Sequence, residues 1–171
     1  MGKLLFRIAR LKILGTFVGL AFAYFPLLIP VKKIVQNKKV VAFKHPSPSY
    51  PDHILIIPRK IARTMFHLSY EDFWEAVETT KQIRHGGNPD FVLMINGGKR
   101  QDVMQAHFHL FTGNLAVQNG LSKKVDFGFL QPETHTSLNL RDMLKQFSVS
   151  EEAFSLVFQF ENEPEPSIYF M

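Results

Sequence analysis

The stretch QDVMQAHFHLF, Gln101 to Phe111, decides how this sequence is read. It places Gln105, His107 and His109 at i, i+2 and i+4 among apolar residues, and on a β-strand such side chains share one face. The apolar run FVLMIN, Phe91 to Asn96, precedes it, followed by a glycine turn at Gly97 and Gly98. Phe91–Asn96 and Val103–Phe111 are therefore expected to form a hairpin of a central sheet. Paired histidines on a strand can bind a metal, fill a polar pocket, or act as nucleophilic imidazoles toward a bound phosphate. Taken alone, the two histidines leave all three open.

Upstream, Lys39–Phe43 and His53–Pro58 read as strands rich in branched residues. Ile61–Leu68 reads as a turn or short helix. Ser69 is a good N-cap with Asp72 at the third helical position, and YEDFWEAVETTKQIR carries Phe73, Ala76 and Val77 at helical spacing. Its acids come early and Lys81 and Arg84 come late, which suits the helix dipole. HGGNPD then ends the helix. Beyond Asn114, Val125–Leu130, Phe154–Phe160 and Ser167–Met171 read as strands and Leu138–Phe147 as a short helix, while His135 reads as an exposed loop residue. The apolar end IYFM is expected to be buried, on the sheet or at a dimer interface.

Two collinear blocks resemble the histidine-triad (HIT) superfamily of nucleotide hydrolases and transferases, over roughly residues 28 to 114. In IPVKKIVQNKKVVAFKHPSPSYPDHILIIPRK, Ile29 to Lys60, an Ile-Pro start, a strand, an Ala-Phe pair and a Pro-containing loop lead to a histidine and an apolar strand. His53 falls on the family's upstream active-site histidine. In the second block Asn96, Gly97, Gly98, Gln101, Val103, Gln105, His107 and His109 follow the family's Asn, Gly-rich turn and Gln-x-Val-x-His-x-His-x-His. The resemblance puts the nucleophile on His107, with His109, Gln105 and His53 as the other catalytic positions. Asn96, Gln101, Asp102 and His45 fall on substrate-binding positions. Three of these positions depart from the family. Gln105 replaces the first histidine of the triad, Asp102 the small hydroxyl residue beside the phosphate, and His45 the ribose-binding Asp.

The composition bounds the remaining choices. A chain of 171 residues with 46% hydrophobic content can build one good core. With no cysteine there are no disulfides and no Cys-based zinc sites, and the composition fits a reducing compartment. The net charge of +5 is unevenly spread: residues 1 to 44 hold nine Lys or Arg and no acid, whereas residues 115 to 171 hold four basic against eight acidic. The early basic residues are not interleaved with aromatics as nucleic-acid binding would need. Instead they flank ILGTFVGLAFAYFPLLIP, Ile13 to Pro30, which points to a membrane surface.

That run has three readings. As a helix it spans roughly 27 Å, slightly short of a hydrocarbon core of about 30 Å. As a secretory signal it offers Ala21-Phe22-Ala23 as a weak cleavage site, but the apolar run continues past it. Four cationic residues precede it (Lys3, Arg7, Arg10, Lys12) and four follow it (Lys32, Lys33, Lys38, Lys39), so charge gives no orientation. Pro26 would kink a spanning helix. The expectation is a monotopic anchor: a basic amphipathic helix on anionic lipid, then a shallow apolar segment at the cytoplasmic face, with a single-pass protein as the alternative.

Together these readings predict an α+β fold. Residues 1–28 form the anchor, 29–114 a HIT-like antiparallel sheet with helices, and 115–171 a small α+β extension packed on that domain or at a dimer interface. The resemblance implies a nucleotide hydrolase or nucleotidyltransferase that cleaves a phosphoanhydride or phosphoramidate through a covalent nucleotidyl-histidine, with no metal or cofactor required. The expected partners are a nucleotide or nucleotidyl conjugate (lipid-linked in one variant), an anionic membrane surface and a second copy of the chain, but no nucleic acid. Two alternatives stand beside it: a nucleotide-binding HIT-like protein that has lost turnover through Gln105 and Asp102, and a metal-dependent hydrolase using His53, His107 and His109.

Overall fold

Strand β1 (Lys33–Gln36) turns back into β2 (Val40–Lys44) because the Asn37 side chain accepts hydrogen bonds from the backbone of Lys39 and Val40, both at 2.8 Å. The structure is a computed structural model that describes residues 17, 20, 21, 24, 25, 31–84, 90–113, 123–125, 145, 149–160 and 166–171. The remaining described strands are β3 (Ile54–Pro58), β4 (Phe91–Gly98), β5 (Phe108–Thr112), β6 (Lys123–Val125), β7 (Ala153–Phe160) and β8 (Ser167–Phe170). They form one antiparallel sheet of eight strands in the order β1-β2-β3-β5-β4-β7-β8-β6. The fold is α+β, as the sequence predicts.

Helix α1 (Tyr70–Arg84) covers one face of this sheet. Ser69 caps it: the Asp72 amide donates to Ser69 Oγ at 3.2 Å and the Ser69 hydroxyl donates to the Asp72 carboxylate at 2.6 Å. Phe73, Ala76 and Val77 are fully buried against the sheet. The Phe73 ring meets Phe108 edge-on, with centroids 5.4 Å apart, and lies 5.6 Å from Phe158. Alternation does the rest. Leu93, Ile95, Phe108, Leu110, Leu156, Phe158, Ile168 and Phe170 point to the helix side, while Val92, Met94, Phe111 and Val157 join a second apolar cluster on the opposite face.

The chain after residue 150 returns to the sheet core. Strand β7 pairs with β4 along its whole length, from Phe91↔Phe160 to Gly98↔Ala153, and β8 pairs with β7. Ile168 and Phe170, from the apolar end, are therefore core residues. The expected strand at Val125–Leu130 lies outside the described residues beyond Val125, as do His135 and all of the 138–147 helix except Lys145. Of the expected anchor, Phe17, Leu20, Ala21 and Tyr24 are helical, and most of the rest lies outside the described residues. Among the described residues no helix is long and apolar enough to cross a membrane.

The two glycines expected in a turn instead close β4, with the turn following at Lys99 and Arg100, and both positions have a packing reason. A Cβ on Gly97 would lie 2.3 Å from the buried ring of Phe154, and Gly98 holds φ at +59° with the Glu152 carbonyl 2.1 Å from where its Cβ would be. Gly97→Ala is expected to destabilise the fold by about 1–3 kcal/mol through overpacking. Urea denaturation measures this, and an unchanged midpoint would show that the Phe154 ring moves aside freely.

Candidate active site

The site lies on the sheet face opposite α1, where β3 and β4 flank β5. Register puts Leu55 opposite His109 on one side and Met94 opposite His109 on the other. His53, one residue before β3, projects to the same face as Leu55 and Ile57. The His53 and His109 rings meet through a 2.9 Å hydrogen bond between His53 Nε2 and His109 Nδ1. His107 and His109 lie with ring centroids 4.8 Å apart, edge to face. His45 stacks on His53, with centroids 4.2 Å apart and planes within 7°. Four histidines thus form one cluster.

The hydrogen bonds assign their tautomers. The Ser49 amide donates to His53 Nδ1 at 3.3 Å, so a neutral His53 carries its proton on Nε2 and donates it to His109 Nδ1. The His109 proton then sits on Nε2, a buried atom with no partner among the described residues. At His107, Nδ1 lies 2.7 Å from the Gln105 carbonyl, an acceptor only, so Nδ1 holds the proton and Nε2 keeps its lone pair. The outcome is one imidazole with a free nucleophilic nitrogen beside another that offers an N–H donor. In His45, Nδ1 accepts from the Ser47 amide at 3.0 Å, which puts its proton on Nε2.

Gln105 behaves differently from the expected shared strand face. The ladder of β5 begins only at Phe108, and the chain bends over residues 103–105. The Gln105 side chain turns inward to 1% exposure, where it accepts from the Ala62 amide at 3.3 Å and donates to the Lys60 carbonyl at 2.8 Å. Only its backbone carbonyl reaches His107. Gln101 also works as a clamp, donating from Nε2 to the Arg63 carbonyl and, at 2.7 Å, to the Val103 carbonyl. Asp102 is exposed, and its charge acts on the His107 ring. Asn96 sits one place along β4 from the Ile95↔Phe108 pair, beside the start of β5.

Two participants escaped the sequence reading. Ser155 of β7 donates to Asn96 Oδ1 at 2.7 Å, and Arg100 donates to Ser155 Oγ at 3.2 Å. The available signal was a lone serine within the apolar run AFSLVF, which gains meaning only once β7 is paired with β4.

As for metals, among the described residues no group of three or more His, Asp or Glu side chains is arranged to hold one. The pairing of His53 with His109 also occupies ring nitrogens that a metal would need.

Burial disfavours the charged form of His53, His107 and His109. It pushes His53 down to about 4, helped by neighbouring His45 and His107. Burial, then repulsion from His107, His53 and His45, holds His109 well below the ordinary histidine range. Burial lowers His107 too, opposed by its bond to the Gln105 carbonyl and by Asp102. Between about pH 4 and 6.5 the unfolded chain therefore binds protons that the folded His53 refuses. The stability contributed is complete above pH 6.5 and is lost as the pH falls toward 4. Thermal melts from pH 7.5 to 4.5 should show a steadily falling Tm whose slope flattens in His53→Asn. A Tm independent of pH across that window would mean that the cluster is already solvated.

A model of the HIT domain matches residues 27–115. A HIT-like protein of Buchnera aphidicola is 26% identical over 95 residues, covering 50% of this chain and 84% of that protein. A 13.2 kDa HIT-like protein of Azospirillum brasilense is 28% identical over 94 residues, covering 50% of this chain and 77% of that one. Among solved structures, a HIT family hydrolase from Legionella pneumophila is 26% identical with a TM-score of 0.44, covering 50% of this chain and 84% of its own. Yeast Ap4A phosphorylase in complex with AMP shares 12% identity at a TM-score of 0.52, covering 88% of this chain and 62% of its own, a likeness of fold alone. With more than half of its residues inside the matched domain, the chain belongs to the HIT domain family.

Proposed function

We propose that this chain is a nucleotide hydrolase or nucleotidyltransferase that cleaves a phosphoanhydride or phosphoramidate bond through a covalent nucleotidyl-His107. The observation that carries this reading is the 2.7 Å contact from His107 Nδ1 to the Gln105 carbonyl, which leaves Nε2 unprotonated in a neutral ring. Nε2 attacks the α-phosphorus in line. An N–P bond forms as the bond to the leaving group breaks, the leaving group takes that bond's electron pair, and Nδ1 keeps its proton, hydrogen-bonded to the Gln105 carbonyl. Water or the hydroxyl of another acceptor then attacks phosphorus, forming a P–O bond and releasing its proton to solvent as the N–P electron pair returns to Nε2.

The other groups support charge and position. His109 Nε2–H donates to a phosphoryl oxygen, and His53 holds His109 in the tautomer that makes this donation available. Asn96 contacts phosphate or the leaving group, and Gln101 holds the loop that carries Asp102 and Gln105. Phe43, Leu55 and Ile57 cluster on the site face and can wall a base pocket. His45, carrying its proton on Nε2, replaces a ribose-binding carboxylate with a donor. This chemistry requires no metal or cofactor from the protein.

A second reading, a nucleotide-binding protein of weak or absent turnover, is favoured by Asp102. A carboxylate close enough to act on His107 also repels a phosphate arriving there.

The two readings separate on His107→Asn, assayed against adenylated, guanylated and cytidylated phosphoanhydrides. Turnover should vanish while the fold and nucleotide binding persist. His109→Asn should be milder, on the order of 10²-fold in rate. Wild-type turnover in His107→Asn would refute the covalent mechanism, and a parent that binds nucleotides without cleaving any would establish the second reading.

We further propose that the N-terminal segment seats the enzyme on an anionic bilayer from the cytoplasmic face. Phe17, Leu20 and Tyr24 fall on one side of a helix and are 64%, 39% and 65% exposed, close to the cationic flanks. The substrate class on such a surface includes lipid-linked nucleotides, and a second copy of the chain is a further candidate partner. The full chain should co-sediment with phosphatidylserine-containing vesicles at low salt and be partly released at high salt. Its remaining in the supernatant at low salt would remove the membrane from this proposal.

A further inference from the structure

Asn96 can help bind phosphate only if the correct end of its amide faces the substrate. Phosphate oxygens accept hydrogen bonds, so the Nδ2 donors are useful there and Oδ1 is not. Three residues from different parts of the chain fix this choice. Ser155 stands directly opposite Asn96 in the β4–β7 register and is buried, at 2% exposure. Its backbone is pinned by reciprocal hydrogen bonds with Met171, at 2.9 and 3.0 Å. The Arg100 guanidinium lies 3.2 Å from Ser155 Oγ and can only donate. The serine oxygen accepts from Arg100, and its single proton, buried and in need of an acceptor, goes to Asn96 Oδ1 at 2.7 Å. With Oδ1 committed to β7, the Nδ2 donors are left for the site.

We propose that Ser155, with its hydrogen-bond polarity set by Arg100, is a positioning residue that turns the Asn96 amide so that Nδ2 faces the substrate phosphate. The assignment rests on the phosphate-binding reading of Asn96 given above. It gives a role in the site to a residue outside the matched span 27–115. Without the Ser155 proton the amide loses the hydrogen bond that holds this orientation, and the flipped amide presents an acceptor to an anion.

The test is a double-mutant cycle on the full chain, read by calorimetric titration with AMP and by kcat/KM, with thermal melts as the control for folding. Ser155→Ala should weaken AMP binding about threefold to tenfold, the range of one neutral hydrogen bond. Ser155→Thr, which keeps the hydroxyl, should stay within about twofold of the parent. In an Asn96→Ala background, Ser155→Ala should add less than about twofold, because its effect runs through the missing amide. Arg100→Met, at an exposed site that disturbs no packing, should likewise lose most of its effect in that background.

Parental AMP affinity in Ser155→Ala would overturn the positioning role while leaving the site reading intact. Effects of Ser155→Ala or Arg100→Met that persist at full size without Asn96 would overturn it as well, since they would mean a direct contact or a general structural loss. A parent chain that binds no AMP would overturn the phosphate-site reading, and this assignment with it.

Discussion

Strand β5 is gripped on both edges, by β3 through Leu55↔His109 and by β4 through Met94↔His109, and the position of each imidazole follows from that double pairing. A strand held on one edge can slip by a residue, which would move every side chain to the other face. Here a slip would bury His109 under α1 and expose Phe108 and Leu110, both of which are fully buried. The hydrophobic core on the helix side thus fixes the register, and the register fixes the polar site on the other side.

Electrostatics follow from the same packing. Burial is the largest cause of the lowered proton affinity of His53, His107 and His109, and it takes His109 Nε2 out of contact with water. A neutral cluster needs each N–H to have an acceptor. The relay from the Ser49 amide through His53 to His109 meets that need at every step except the last, where His109 Nε2 points its proton at no described protein atom. That one unsatisfied donor, next to one free lone pair on His107, is the pattern a site for an anionic electrophile would have.

The sheet also explains the C-terminal residues. Strand β7 lies along the edge of β4 that β5 leaves open, and its Phe154 ring fills the space that Gly97 vacates by having no side chain. The glycine pair that follows the family pattern is therefore a packing feature at the end of β4. One strand supplies both the lid over Gly97 and the hydroxyl on Asn96.

The sequence by itself determined what depends on near neighbours. The apolar run FVLMIN and the alternating HFHLF named two central strands, Ser69 with Asp72 marked the start of α1 at the residue where it begins, and the His-x-His spacing put His107 and His109 on one side. Periodicity and capping are local, so they are legible in a short window. Tertiary structure decided the partners. Which histidine His53 would meet, that Gln105 would turn inward to Lys60 and Ala62, and that Ser155 would reach Asn96 all depend on contacts between residues 43 to 59 positions apart. Such contacts are set by strand order and register, which the packing of the whole core selects and no local spacing encodes.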